Sequence, residues 1–150
     1  MNPIDKLTVT ENVSVFFFER LGSDGRLMSE LLTKLVEEGV NIDMISQSAP
    51  HIQPYVSLSF SIDDSALVKT LRVCNPLGLK PMVSSSNCKL SLFGAGMVNT
   101  PGVAAQVVAT IIGCGCEIQL ITTSEIDISC LLPRLGADSA IEALKKTFQL

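Results

Sequence analysis

Between Arg26 and Glu38 apolar pairs recur every four residues, Leu27-Met28, Leu31-Leu32 and Leu35-Val36, while Glu30, Lys34 and Glu37 fall on the other side. That period predicts an amphipathic helix, with Ser23-Asp24 as its N-cap and Gly39 as its stop. Alternation predicts strands around it. Asp5 to Asn12 sets Leu7 and Val9 against Lys6, Thr8 and Thr10, Val13 to Phe18 reads as a more buried strand, and Val40 to Gln47 alternates less cleanly. Tyr55 to Ile62 alternates well through Val56, Leu58, Phe60 and Ile62. Asp64-Ser65 then caps a second helix carrying Ala66, Leu67 and Leu71, which ends before Pro76-Leu77-Gly78, and Leu79 to Ser85 is read as a further strand. The adjacent aromatics Phe16-Phe17-Phe18 point alternately to opposite faces of their strand, which suits core packing better than a stacking platform.

The pattern then repeats. Gly39-Val40-Asn41-Ile42-Asp43-Met44-Ile45 is matched 76 positions later by Gly115-Cys116-Glu117-Ile118-Gln119-Leu120-Ile121, and the helical pairs by Val103-Ala104, Val107-Val108 and Ile111-Ile112. Such self-similarity marks a duplicated unit. The second copy runs through Cys88 to Phe93, a helix from Pro101 to Gly113, Cys116 to Thr123, Ile126 to Leu132, and a helix from Asp138 to Phe148. It lacks a last strand, while Asp5 to Asn12 is left over before the first copy. The expected fold is α+β, two βαββαβ ferredoxin-like domains with helices on one face of an antiparallel sheet. One domain spans 13–87; the other takes 5–12 plus 88–150, its sheet completed by the N-terminal strand. The loop Ala49-Pro50-His51-Ile52-Gln53-Pro54 is an insertion in the first copy.

Composition narrows the function classes. The chain has 150 residues, 47% of them hydrophobic, and a mean hydropathy of +0.40; two domains of this size are each marginal alone and are expected to pack on each other or on a second chain. A net charge of -4 argues against a phosphate-backbone partner. No apolar run is long enough for a membrane span and no basic-then-apolar leader opens the chain, so a soluble, cytoplasmic protein is expected. The five cysteines lack metal-ligand spacing and are read as free buried thiols, with no metal and no cofactor expected. No catalytic set emerges either: the one histidine, His51, lies in the insertion, and no glycine-rich loop followed by Lys-Ser/Thr is present.

One loop carries candidate binding chemistry. Gly94-Ala95-Gly96-Met97-Val98-Asn99-Thr100-Pro101-Gly102-Val103 leads from a strand into a helix, with Thr100 read as N-cap, Pro101 at the first helical position and Gly102 leaving the helix entrance open. Amides and dipole at such an entrance favour an anion such as a carboxylate. A dinucleotide fingerprint fails, because Asn99 stands where a glycine is required. A tight turn with a capped helix explains the same residues without any ligand. Thr122-Thr123-Ser124-Glu125-Ile126 joins two strands of the same half, and there Glu125 suits an ammonium group; a polar hairpin turn is the plainer alternative.

Leu90-Ser91-Leu92-Phe93-Gly94-Ala95-Gly96-Met97, Pro101-Gly102-Val103-Ala104 and Ile121-Thr122-Thr123-Ser124-Glu125-Ile126-Asp127-Ile128-Ser129 resemble the tandem ACT domains of aspartokinase, as do Asn41-Ile42-Asp43-Met44-Ile45 and the closing Phe148-Gln149-Leu150. The resemblance implies a non-catalytic regulatory module that binds an end-product amino acid, lysine or threonine, between paired ACT domains for feedback control. It also implies a homodimer, and a chain that is either a separate regulatory subunit associating with an aspartate kinase catalytic chain, a stand-alone ACT protein or the regulatory part of a longer kinase. Carried over by position, the effector contacts are Asn99, Thr100, Pro101, Gly102, Ile118, Ser124 and Glu125 in the second half, and Ser23, Asp24, Gly25, Arg26, Asp43 and Gln47 in the first. Arg26 stands where the family pattern has a glycine, and its guanidinium either pairs with a ligand carboxylate or fills the pocket. The alternative to effector binding is a structural dimerisation module with degenerate pockets.

Overall fold

The periodicities resolve into six strands and four helices among residues 2–50 and 54–150, which the computed structural model describes. In chain order these are β1 (Lys6–Gly22), α1 (Arg26–Glu37), β2 (Ile45–Gln47), β3 (Tyr55–Asp63), α2 (Leu67–Cys74), β4 (Met82–Phe93), α3 (Val103–Gly113), β5 (Leu120–Thr123), β6 (Asp127–Pro133) and α4 (Ala137–Phe148). The fold is α+β of the ferredoxin-like kind, with antiparallel strands. The chain divides into two compact units, Asn12–Ser85 and Met1–Glu11 with Ser86–Leu150, called here the first and second. Among the described residues no helix is long and apolar enough to cross a membrane. His51, Ile52 and Gln53, read from the sequence as part of the insertion, lie outside the described residues.

In the first unit the strand order is β2-β3-β1-β4. Phe16 pairs with Phe60 and Phe18 with Leu58 across β1 and β3, and the residues of this face join Leu31 and Leu35 of α1 and Val73 of α2 in one core. The Phe16 and Phe60 rings stack at 5.5 Å and 4°, and Phe18 lies 5.6 Å from Phe60. Phe17, on the opposite face, is only half-buried, as strand alternation requires.

The second unit orders its strands β1-β4-β6-β5. Leu90 and Leu92 of β4 and Cys130 and Leu132 of β6 meet Val107 and Ile111 of α3 and Ile141 and Leu144 of α4. Ile4 enters the same core from the segment before β1 and is fully buried. Its backbone continues to Asp5, whose N–H donates a hydrogen bond to the Phe93 carbonyl at 2.8 Å, and the Asn2 side-chain amide donates to the carbonyl of Phe148 at the end of α4.

Several element boundaries differ from the sequence expectation, each for a local reason. Asp5 to Asn12 and Val13 to Phe18 are one strand, and so are the stretches read as Leu79 to Ser85 and Cys88 to Phe93. The alternation falters because single left-handed residues sit inside them, Asn12 (φ 60°) and Ser86 (φ 56°), the conformation that bulges in strands use. The strand expected from Val40 shrinks to Ile45–Gln47: the Ser61 hydroxyl takes the Met44 amide at 2.9 Å, so a side chain stands in for part of the ladder. The strand expected from Cys116 begins at Leu120 because the Cys116 amide bonds back to the Ile111 carbonyl of α3.

The caps shift as well. Gly25, not Ser23 or Asp24, is the residue before α1, with φ 76°. Asp24 still serves the helix, accepting the Arg26 amide at 3.1 Å. At the second helix the capping carboxylate is Asp63, which accepts the Ser65 amide at 2.9 Å and starts a 3-10 turn, Asp64–Ala66, ahead of α2.

Candidate functional site

β4 does not run straight into α3, as the sequence suggested, but through a 3-10 turn, Ala95–Asn99. The turn is set by a close backbone approach. A Cβ on Gly94 would fall 2.0 Å from the Pro3 carbonyl oxygen and 2.8 Å from the Ile4 Cα, and one on Gly96 3.0 Å from the Pro3 Cα. Only glycine admits the 2–4 segment there. The Gly94 amide is bonded to the Ile126 carbonyl at 3.0 Å, which ties the turn to the β5–β6 connection.

Thr100 is not the N-cap of α3. Its hydroxyl donates to the Gly96 carbonyl at 2.8 Å and closes the 3-10 turn instead, and Pro101 precedes the helix rather than opening it. The N-cap is Gly102 in the left-handed region, φ 87°, with no side-chain cap bond. The first-turn amides, which have no intrahelical partner, are therefore left open to a ligand at Val103 and Ala104. Across from them Ser124 holds the β5–β6 turn: its amide donates to the Asp127 carbonyl at 2.8 Å, and its hydroxyl accepts from the Ile126 amide at 3.4 Å.

These two loops line an open cavity of about 330 Å³ in the second unit. Of the residues expected from the sequence, Thr100, Gly102, Ser124 and Glu125 line it. Asn99 and Pro101 are exposed on the loop beside it, and Ile118 is half-buried against the core of the unit. The apolar walls, Met97, Val98, Val103 and Ile128 with Ala104, were not singled out as contacts. The register is the missing signal, since Thr123 pairs with Ile128 and both line the cavity. The arrangement sets amide donors and a positive helix end against an exposed carboxylate, Glu125, with an apolar floor between them.

In the first unit the corresponding residues are arranged differently. Ser23 donates its amide to the Pro54 carbonyl at 2.9 Å, and Asp24 is engaged with the Arg26 amide. Gly25 and Gly102 are the two left-handed residues that precede α1 and α3. Hence Gly25, one position earlier than the repeat offset suggested, is the counterpart of Gly102, and Arg26 stands opposite Val103 at the first helical position. The first copy has kept its glycine. Asp43 donates its amide to the Ser61 carbonyl at 3.1 Å, and Gln47 is exposed on β2. Among the described residues no group of three or more His, Cys, Asp or Glu side chains is placed to hold a metal ion.

In the second unit a glycine-preceded helix thus packs over an antiparallel sheet, with a loop-lined cavity at its start. Residues 90–148 match the ACT domain family. Over 124 residues, 82% of its length, the chain is 36% identical to an aspartokinase from Geobacillus stearothermophilus, 30% of which is covered. Its fold superposes on the regulatory subunit of aspartate kinase from Thermus thermophilus in its ligand-free form with a TM-score of 0.86, at 22% identity, covering 97% of this chain and 99% of that one. A structure of aspartokinase alpha and beta subunits gives 0.86 at 24% identity, covering 98% and 99%. The chain spans less than a third of the length of the curated aspartokinases it matches.

Proposed function

We propose that the chain is a non-catalytic, tandem ACT regulatory module that binds a free amino acid, lysine or threonine, in the cavity of its second unit and relays that binding to an aspartate kinase catalytic chain. The observation that carries the reading is the pairing of an uncapped helix start at Gly102 with the Glu125 carboxylate across one cavity. An α-amino acid presents a carboxylate and an ammonium group in complementary positions. The volume is that of a small-ligand site. The similarity to aspartokinases supports the choice of partner. In the first unit, Ser23, Asp24, Gly25, Arg26, Asp43 and Gln47 form the related candidate set, but there the Asp24 carboxylate already accepts the first helical amide, that of Arg26.

The same reading includes a homodimer in the cytoplasm. α3 carries only Gln106 and Thr110 as polar side chains before Gly113, and Ile112 at its end is 54% exposed, with Val98 ahead of it 56% exposed. A helix apolar on nearly all sides is normally covered. A structural dimerisation module is the second reading, and the ligand experiment separates the two.

Thermal shift and calorimetry against lysine, threonine and the other amino acids test the proposal. A ligand at about one hundred times its Kd is expected to stabilise the chain by about 2.7 kcal/mol, and Glu125→Gln is expected to abolish most of that gain. No stabilisation by any amino acid at millimolar concentration, in a chain that is dimeric by light scattering, would establish the second reading. Lysine or threonine sensitivity of an aspartate kinase chain only when this protein is added tests the partner.

A further inference from the structure

The five free cysteines fall into two groups. Cys74, Cys88 and Cys130 are buried, whereas Cys114 and Cys116 are half-buried, which corrects the expectation that all five lie inside. Burial pushes the Cys74 thiol up to about 11 and the Cys130 thiol up to about 12, and raises Cys88 as well. At those values Cys74 and Cys130 hold almost no thiolate near neutral pH.

Cys114 and Cys116 occupy the C-terminal turn of α3. Gly115 between them is left-handed, φ 74°, and the amides of Cys114, Gly115 and Cys116 all bond back to Ile111 or Ile112, at 3.1, 2.9 and 3.4 Å. This folds the backbone on itself, so both side chains reach the first turn of α4. The Cys114 thiol donates to the Ser139 carbonyl at 3.6 Å, and the Cys116 thiol to the Gly136 carbonyl at 3.4 Å. Cys116 Sγ also lies 4.0 Å from the Ser139 hydroxyl. The sulfurs of two half-buried cysteines therefore rest against one residue, Ser139.

We propose that Cys114 and Cys116 form a dithiol modification site, converted to an intramolecular disulfide by a small-molecule disulfide. Residues two apart have Cα atoms no more than about 7 Å from each other, against the roughly 4.4–6.8 Å that disulfides span. In the first step one cysteine thiolate attacks the oxidant, forming a mixed disulfide and expelling one thiolate. The second cysteine then attacks the protein-bound sulfur and expels the other. The two cysteines are oxidised by two electrons, the oxidant is reduced to two thiols, and these carry away the two protons the cysteines lose. Closing the bond removes both S–H donors from the carbonyls of Gly136 and Ser139, which loosens the first turn of α4 against the end of α3.

The test uses the reduced 150-residue chain, glutathione disulfide as oxidant, iodoacetamide quenching and peptide mass mapping. The expected product has lost two hydrogens on the peptide holding both cysteines, in more than about tenfold excess over glutathione adducts. The chain stays free of intermolecular disulfides, and the other three cysteines are alkylated only after unfolding. Cys114→Ser and Cys116→Ser should each retain a glutathione adduct on the remaining thiol, because the resolving partner is gone. Hydrogen exchange at residues 137–140 should rise in the oxidised chain. Stable glutathione adducts on the unmodified chain, chains linked to one another, or no oxidation at Cys114 and Cys116 would each overturn the proposal.

Discussion

Gly94→Ala offers a sharp test of how the second unit is held together, because backbone preference and packing predict opposite results. Gly94 has φ -176°, an extended conformation open to any residue, so conformational strain predicts tolerance. Packing predicts damage. The added Cβ would fall 2.0 Å from the Pro3 carbonyl oxygen and 2.8 Å from the Pro3 carbonyl carbon and the Ile4 Cα, all backbone atoms that cannot rotate away. The segment 2–4 has to leave, and it takes with it the fully buried Ile4 side chain and the bond from the Asp5 amide to Phe93. Exposing Ile4 forfeits about 1.5–3 kcal/mol and the hydrogen bond about 1 kcal/mol more, so a loss of about 3 kcal/mol is expected. Urea denaturation followed by circular dichroism reads the loss, while hydrogen exchange at Asp5 and along α4 assigns it to the second unit. A variant within about 1 kcal/mol of the parent, with the Asp5 amide still protected, would refute the reasoning.

Other outcomes follow from the same structure. Gly113→Ala meets no atom within 4 Å and lies at the end of α3, so it should stabilise the chain by about 0.5–1 kcal/mol in the same urea assay. Phe60→Ala removes the ring that stacks on both Phe16 and Phe18 in the first core and should cost about 3–5 kcal/mol, with Phe60→Leu well below that. The Ser65 hydroxyl and amide hold the Asp63 carboxyl below its ordinary 3.8. A depressed folded value means that the cap stabilises above the unfolded value and is lost as pH falls through the folded one. NMR should therefore give Asp63 a titration midpoint below 3.8, and Asp63→Asn should remove that part of the acid sensitivity; a midpoint at or above 3.8 would contradict the cap.

Much of this architecture was legible because its signals are local. The four-residue period of Leu27 to Val36, and its echo from Val103 to Ile112, placed two helices within a residue or two of α1 and α3. Alternation through Val56, Leu58, Phe60 and Ile62 located β3, and alternation alone implied that Phe16-Phe17-Phe18 split between two faces, while the structure decided that Phe16 and Phe18 are the inward pair. The cavity was legible only in part. Thr100, Gly102, Ser124 and Glu125 belong to loops whose chemistry is visible in the residues themselves. Met97 and Val103 look like any core residue until the turn and α3 are placed, and Ile128 until the register of β5 on β6 is known.

By itself the sequence determined the repeat, the helix stripes, the strand periodicity and the two polar loops that are candidates for binding, since each rests on residues within a few positions of one another. Tertiary structure alone decided that Asn12 and Ser86 are left-handed residues inside long strands rather than strand ends. It also decided that Gly25 answers to Gly102, that Gly94 is required by Pro3, and that Cys114 and Cys116 meet at Ser139. The reason is common to all of these: a contact between residues far apart in the chain leaves no periodicity in either segment, and only the closed fold brings the two together.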